Sequence, residues 1–314
     1  MPSELAQSLD AFGPWDWACI GLSLTTAIAG LYALKCWHNL PGTDAEPTAN
    51  ATEATAAFFA AIGAFLLIFP VVTQLVTSRF ADLFGLSQTH LFIGACAGQL
   101  SAAAAILAIG KFLPRSLHWA PSLMPAEEQL TGLSEFRQAV RAWSFPRWAL
   151  SFLAIFALGV LGTILWKLFC LSWQQLYLAG WVGSPPADEL QDIVQVVMRT
   201  ELGSIKFIII TLAVAIGAPI MEELVFRGML YPSLKRLCQP LSPGRSRLLA
   251  AILTGMVFSA AHLCASAAIP LFAFGAFMCL IRDRYGLLTC ISIHASFNLW
   301  NLVWLKLAPN ASNL

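Results

Sequence analysis

Ala218-Pro219-Ile220-Met221-Glu222-Glu223-Leu224-Val225-Phe226-Arg227-Gly228 places two adjacent carboxylates and an arginine inside an otherwise apolar run. Ionisable groups in a hydrophobic segment are costly, so the cluster has to face a protein interior or a water-filled cavity, and a functional site is the first expectation. On an α-helix turning about 100° per residue, Glu223 and Arg227 share a face, whereas Glu222 points away from Arg227. An acid four residues ahead of a base is the favourable order for a helical ion pair, and a buried charge needs a partner. Glu223 is therefore expected to brace against Arg227, leaving Glu222 as the free acid or base. An ion-paired knot that joins helices without chemistry accounts for these three residues equally well.

The surrounding chain decides the class. Of 314 residues, 58% are hydrophobic and only 11% charged, with a mean hydropathy of +0.72, against about 25% charged residues in an ordinary soluble domain. The expected fold is an all-α polytopic transmembrane helical bundle. A net charge of +1 and the lack of a basic arm give no nucleic-acid partner. The cysteines are scattered without a C-x-x-C pair and read as small buried hydrophobes rather than a disulfide framework. The N-terminal stretch carries acids but no Lys or Arg before the first apolar run, so that run is expected to be a retained helix rather than a cleaved signal.

About eight spans long enough to cross a bilayer fall at 17–34, 54–77, 91–110, 148–171, 203–231, 248–264, 269–281 and 286–305. With both termini on the non-cytosolic side, the inside loops collect Lys35, Lys111, Arg115, Arg137, Arg141, Arg147, Lys235, Arg236, Arg245, Arg247, Arg282 and Arg284. The outside segments hold only Arg79, Arg199 and Lys306. That asymmetry is the one cytoplasmic loops show. Lys167 and Lys206 lie near the outer ends of their spans and read as snorkelling anchors. Interfacial amphipathic helices are expected inside, at Leu130, Leu133, Phe136, Val140 and Trp143, and outside, at Leu190, Ile193, Val194 and Val197. Residues 42–53 read as a flexible loop. The domain expectation is an N-terminal three-helix membrane region with a cytosolic amphipathic loop over 1–147, and a catalytic helical bundle over 148–314.

Two further patterns sit in the later spans. Phe258 and His262 share one helical face, as do His294 and Asn298. Glu, His, His and Asn together supply a base, a second proton carrier and neutral donors for a developing oxyanion, which is a hydrolase inventory. A thiol nucleophile at Cys264 is disfavoured, since two positions from His262 is nearly the opposite face of a helix. Pro219 is expected to loosen its helix and free carbonyls for water or side chains. By rise along each span at ~1.5 Å per residue, His294 lies roughly 10 Å from the inner end and Glu222 a little deeper, measured from Pro232, whereas His262 comes out nearer the outer side.

The three patterns in order, E-E-x-x-x-R at Glu222-Glu223 to Arg227, F-x-x-x-H at Phe258 to His262 and H-x-x-x-N at His294 to Asn298, resemble the CAAX-processing and bacteriocin-immunity (CPBP, or Abi) family of intramembrane proteases, which includes type II CAAX prenyl endopeptidases. The resemblance covers roughly 203–305. It implies that Glu222 activates water with help from His262, that His294 and Asn298 stabilise the oxyanion, and that Glu223, Arg227 and Phe258 support the site. It implies substrates that are membrane-associated peptides or prenylated proteins in a lipid bilayer. A metal-free mechanism is favoured, with zinc on Glu222, His262 and His294 as the alternative. A non-catalytic immunity or scaffold protein and a proton-coupled transporter are the competing classes. The topology is directly checkable: a reporter fused after Leu314 should report the non-cytosolic side and one inserted within 113–144 the cytosol, and the reverse pattern would contradict the charge reading.

Overall fold

A computed structural model describes residues 13–38, 51–84, 89–112, 145–178, 192–264 and 267–308. Among these, eight helical segments and no strand are present, as the all-α expectation requires. They are α1 Pro14–His38, α2 running unbroken through Ala51–Gly63, Ala64–Ile68 and Phe69–Phe84, α3 Thr89–Phe112, α4 Phe145–Leu178 and α5 Asp192–Arg199. Then come α6, from Ile205–Thr211 through to Tyr231–Leu237, α7 Pro243–Ala261 and α8 Ala268–Leu307. Four stretches, Ala51–Arg79, Leu91–Ile109, Ile205–Leu237 and Ala268–Leu307, are long and apolar enough to cross a membrane, as in an integral membrane protein. Shorter Leu153–Phe169 within α4 is also apolar.

Helix α6 is the axis. Every residue from Glu223 to Leu230 is buried, as expected for a helix that is apolar all round. Ala57, Ala61 and Ala64 of α2 and Ala102, Ala103 and Ile106 of α3 pack on Met221, Leu224 and Phe226. Small side chains let the helices approach closely, which matters where lipid supplies no hydrophobic drive for association.

The backbone of α6 departs from a uniform α-helix in two π turns, Leu212–Gly217 and Glu223–Leu230. In the first, the Ala218 N–H donates to the Ala213 carbonyl, five residues back. The same pattern one residue on would reach the Val214 carbonyl, but Pro219 has no N–H. Val214 instead accepts from Asn298 Nδ2 at 2.8 Å. The second turn coincides with the charged motif, so Glu222 ends an α segment and Glu223 begins a π segment. Insertions of this kind concentrate at functional sites.

The seventh and eighth expected spans are the two arms of α8. Gly286 at φ 80°, ψ 170° breaks its helical geometry, in a region essentially restricted to glycine. Beyond it the chain runs back: the Phe274 and Phe297 rings stack at 5.0 Å, and Cys290 Sγ lies 3.5 Å from the Met278 carbonyl oxygen. The arms 268–285 and 287–307 are therefore antiparallel. Helix α7 packs against the first arm so tightly that a Cβ on Gly275 would come within 3.0 Å of Gly255 Cα. Near the turn, Asp283 accepts from Tyr231 at 2.7 Å and pairs with Lys235, Arg247 and Arg282 at 3.1–3.3 Å. That cluster ties α6, α7 and α8 at one end of the bundle.

The remaining helices enclose this core. Helix α1 lies along α4, and Ser23 Oγ accepts from both Trp300 and Trp304 Nε1, at 2.8 and 2.9 Å. Val197 of α5 is buried with Ile210 and Leu302, and Lys306 hydrogen-bonds the Met198 and Thr200 carbonyls where α5 ends. The expected outer amphipathic helix thus exists over Ile193, Val194 and Val197, with Leu190 outside the described residues. The inner one, Leu130 to Trp143, also lies outside them. The loop expected over 42–53 is shorter at its far end, because α2 begins at Ala51 with Glu53 in its first turn, where a carboxylate favours the helix dipole.

Replacing Gly286 tests the hairpin. Gly286→Ala forces a Cβ into this conformation and should destabilise by about 1–3 kcal/mol, read as a lowered unfolding midpoint in detergent. An unchanged midpoint would show that the reversal is not built on this residue.

Candidate active site

Two of the three charges in the motif form a fully buried pair. Glu223 and Arg227 are both 0% exposed, and Arg227 Nη1 donates to Glu223 Oε1 at 3.0 Å. Arg227 Nη2 donates to the Gly275 carbonyl at 3.0 Å, and its guanidinium stands 4.7 Å from the centre of the Phe258 ring. Phe258 is thereby a support for the cation as well as part of a cavity wall.

Glu223 has a second partner that helical spacing alone does not reveal. His294 Nδ1 lies 2.8 Å from the same Oε1. A carboxylate only accepts, so Nδ1 carries the proton and Nε2 is turned the other way, 3.9 Å from Glu222 Oε2. That separation is too long for a direct hydrogen bond, and a gap of this size between polar groups suits a bridging water. Glu222 Oε2 has no hydrogen-bond partner. His262 closes α7 and its Nδ1 lies 2.8 Å from the Phe258 carbonyl, which fixes the proton on Nδ1 and leaves Nε2 as the basic nitrogen.

That bond also folds the His262 ring back one turn toward Phe258, at 4.6 Å between ring centres. Glu222, His262, His294, Asn298 and Phe258 all line one cavity of about 510 Å³. Glu223 and Arg227 are sealed behind it.

Among the described residues, no three His, Cys, Asp or Glu side chains converge closely enough to hold a metal ion. A zinc site takes three protein ligands, and the set Glu222, His262 and His294 does not supply them in this arrangement.

The cavity has walls that the sequence motifs do not mark. Gln99 of α3, Trp166 and Lys167 of α4, and Asn301 of α8 also line it. Lys167 was expected to anchor at the lipid headgroups. It lines the cavity, its ammonium 4.9 Å from the centre of the Trp304 ring, on the face that α4 turns toward α8. Polar residues inside apolar spans were the available signal, but no spacing rule connects them to the motifs.

Residues 204–300 match the family model described as type II CAAX prenyl endopeptidase Rce1-like. No curated protein and no solved structure showed a match. The family's description names a CAAX prenyl endopeptidase activity. The matched segment carries α6, α7 and most of α8, and so Glu222, Glu223, Arg227, Phe258, His262, His294 and Asn298. The cavity walls supplied by α3 and α4 lie outside it.

Removing one member of the buried network leaves a charge without compensation. Glu223→Gln should destabilise by about 3–5 kcal/mol, and Glu223→Gln combined with Arg227→Met should recover part of that loss. Unfolding midpoints in detergent decide it: a neutral single variant would mean that the pair carries no weight in the fold.

Proposed function

We propose that this chain is an intramembrane endopeptidase in which Glu222 activates water for attack on a peptide carbonyl, without a metal. The observation that carries the reading is the pair of unlike nitrogens and oxygens across the cavity: His294 Nε2 stands 3.9 Å from an unpartnered Glu222 Oε2, while Glu223 holds the far side of the imidazole. A water in that gap is polarised by a base on one side and positioned by a fixed ring on the other.

The reaction then runs as follows. Glu222 takes one proton as the water oxygen bonds to the carbonyl carbon, with the basic Nε2 of His262 assisting from the same cavity. The water's second proton passes to His294 Nε2, which then donates to the oxyanion. Asn298 donates through its second N–H, since the first is engaged by Val214. Glu222 returns its proton to the leaving nitrogen as the C–N bond breaks.

Substrates of this reading are membrane-associated prenylated proteins of the CAAX type, reaching the cavity from the cytosolic leaflet, with both termini of the enzyme on the opposite side. The catalytic bundle is 148–314, and the region 1–147 forms part of the wall around it.

Cleavage of an internally quenched, S-prenylated CAAX-type peptide by protein in detergent or vesicles tests this. Glu222→Gln should lower kcat at least ~100-fold with an unchanged unfolding midpoint, and His262→Ala should lower it as well. Retained activity in both variants would refute the assignment. Chelation should leave the wild type active, and stoichiometric zinc in the purified active enzyme would overturn the metal-free part.

A further inference from the structure

Gln99 is a polar side chain with no place in the chemistry above. It sits on α3, outside the family-matched segment, and lines the catalytic cavity. It is only 7% exposed, and its Oε1 is buried with no hydrogen-bond partner. The position is built for it: a Cβ on Gly217, in the first π turn of α6, would fall 2.2 Å from Gln99 Oε1. The missing side chain at 217 makes the room that the amide occupies.

An uncompensated buried amide weakens a fold, and such groups persist where they serve a ligand. The cavity restricts what that ligand is. A substrate peptide drawn into a largely apolar chamber carries main-chain N–H and C=O groups that need partners there. Glu222 and His294 face the reacting atoms, and Asn298 already donates to Val214. Gln99 brings an amide to this wall with its Oε1 resting against Gly217, and an amide can both donate to and accept from a peptide unit.

We infer that Gln99 is a substrate-binding residue that hydrogen-bonds one main-chain amide of the bound peptide beside the scissile bond. The inference rests on the endopeptidase reading and adds the part of the site that grips the substrate backbone. It assigns a binding role to α3, and it makes Gly217 a positioning residue for that amide.

The test pairs stability with kinetics in the full-length protein. Gln99→Met keeps the side-chain volume and removes the orphaned amide. Its unfolding midpoint should be unchanged or raised, while kcat/KM on the S-prenylated CAAX-type peptide falls about 3- to 10-fold, the effect of one lost hydrogen bond. A second arm uses versions of that peptide N-methylated at one amide at a time. At one position the wild type should lose activity and Gln99→Met should lose no more. A lowered midpoint or failure to fold would show that Gln99 is structural and overturn the inference. So would unchanged kcat/KM, or losses that multiply at every position. If Glu222→Gln cleaves as well as the wild type, the endopeptidase reading fails instead, and the midpoint of Gln99→Met still decides whether the amide is a structural group.

Discussion

A single carboxylate oxygen, Glu223 Oε1, receives both the Arg227 guanidinium and the His294 imidazole in a region with no exposure to solvent. Charge at this depth is tolerated only when each group is answered, and the answering groups come from α6 and both arms of α8. Arg227 reaches the Gly275 carbonyl because Gly255 and Gly275 let α7 and the first arm of α8 close together. Helix packing and charge compensation therefore depend on each other: widen the α7–α8 contact and the guanidinium loses an acceptor, remove the carboxylate and both α6 and the second arm of α8 lose their tie.

With Glu223 committed to structure, Glu222 one residue earlier is left to the cavity. The change from α to π geometry falls between the two residues, so neighbouring carboxylates serve different surroundings. Pro219 contributes from the same helix by leaving the Val214 carbonyl to Asn298, which fixes the side chain on the cavity wall. The unpartnered oxygens of Glu222 and Gln99 belong to cavity-lining side chains, whereas those of Thr73 and Thr77 rest against Gly98 and Gly94 where α2 packs on α3.

Much of this was legible in residue order and spacing. Four-residue spacing pairs Glu223 with Arg227, apolar run lengths mark the helices, and the E-E-x-x-x-R, F-x-x-x-H and H-x-x-x-N patterns pick out side chains that line or support one cavity. The pairing of His294 with Glu223 was not legible, because 71 residues separate them and only the fold of α8 brings them together. Spacing likewise shows two spans around Gly286 but not the positive φ that turns them into a hairpin. Gln99 and Lys167 were missed as cavity residues for another reason. They come from helices without a motif, and which face of α3 or α4 meets the cavity is a property of tertiary packing.

The most direct test of the account is an experimental density map of the protein in a lipid environment, fine enough to place ordered water. The account requires His294 Nδ1 on Glu223 and a water within about 3.2 Å of both His294 Nε2 and Glu222 Oε2. A map with His294 swung away from Glu223, or with the gap between His294 and Glu222 filled by apolar side chains, would contradict it.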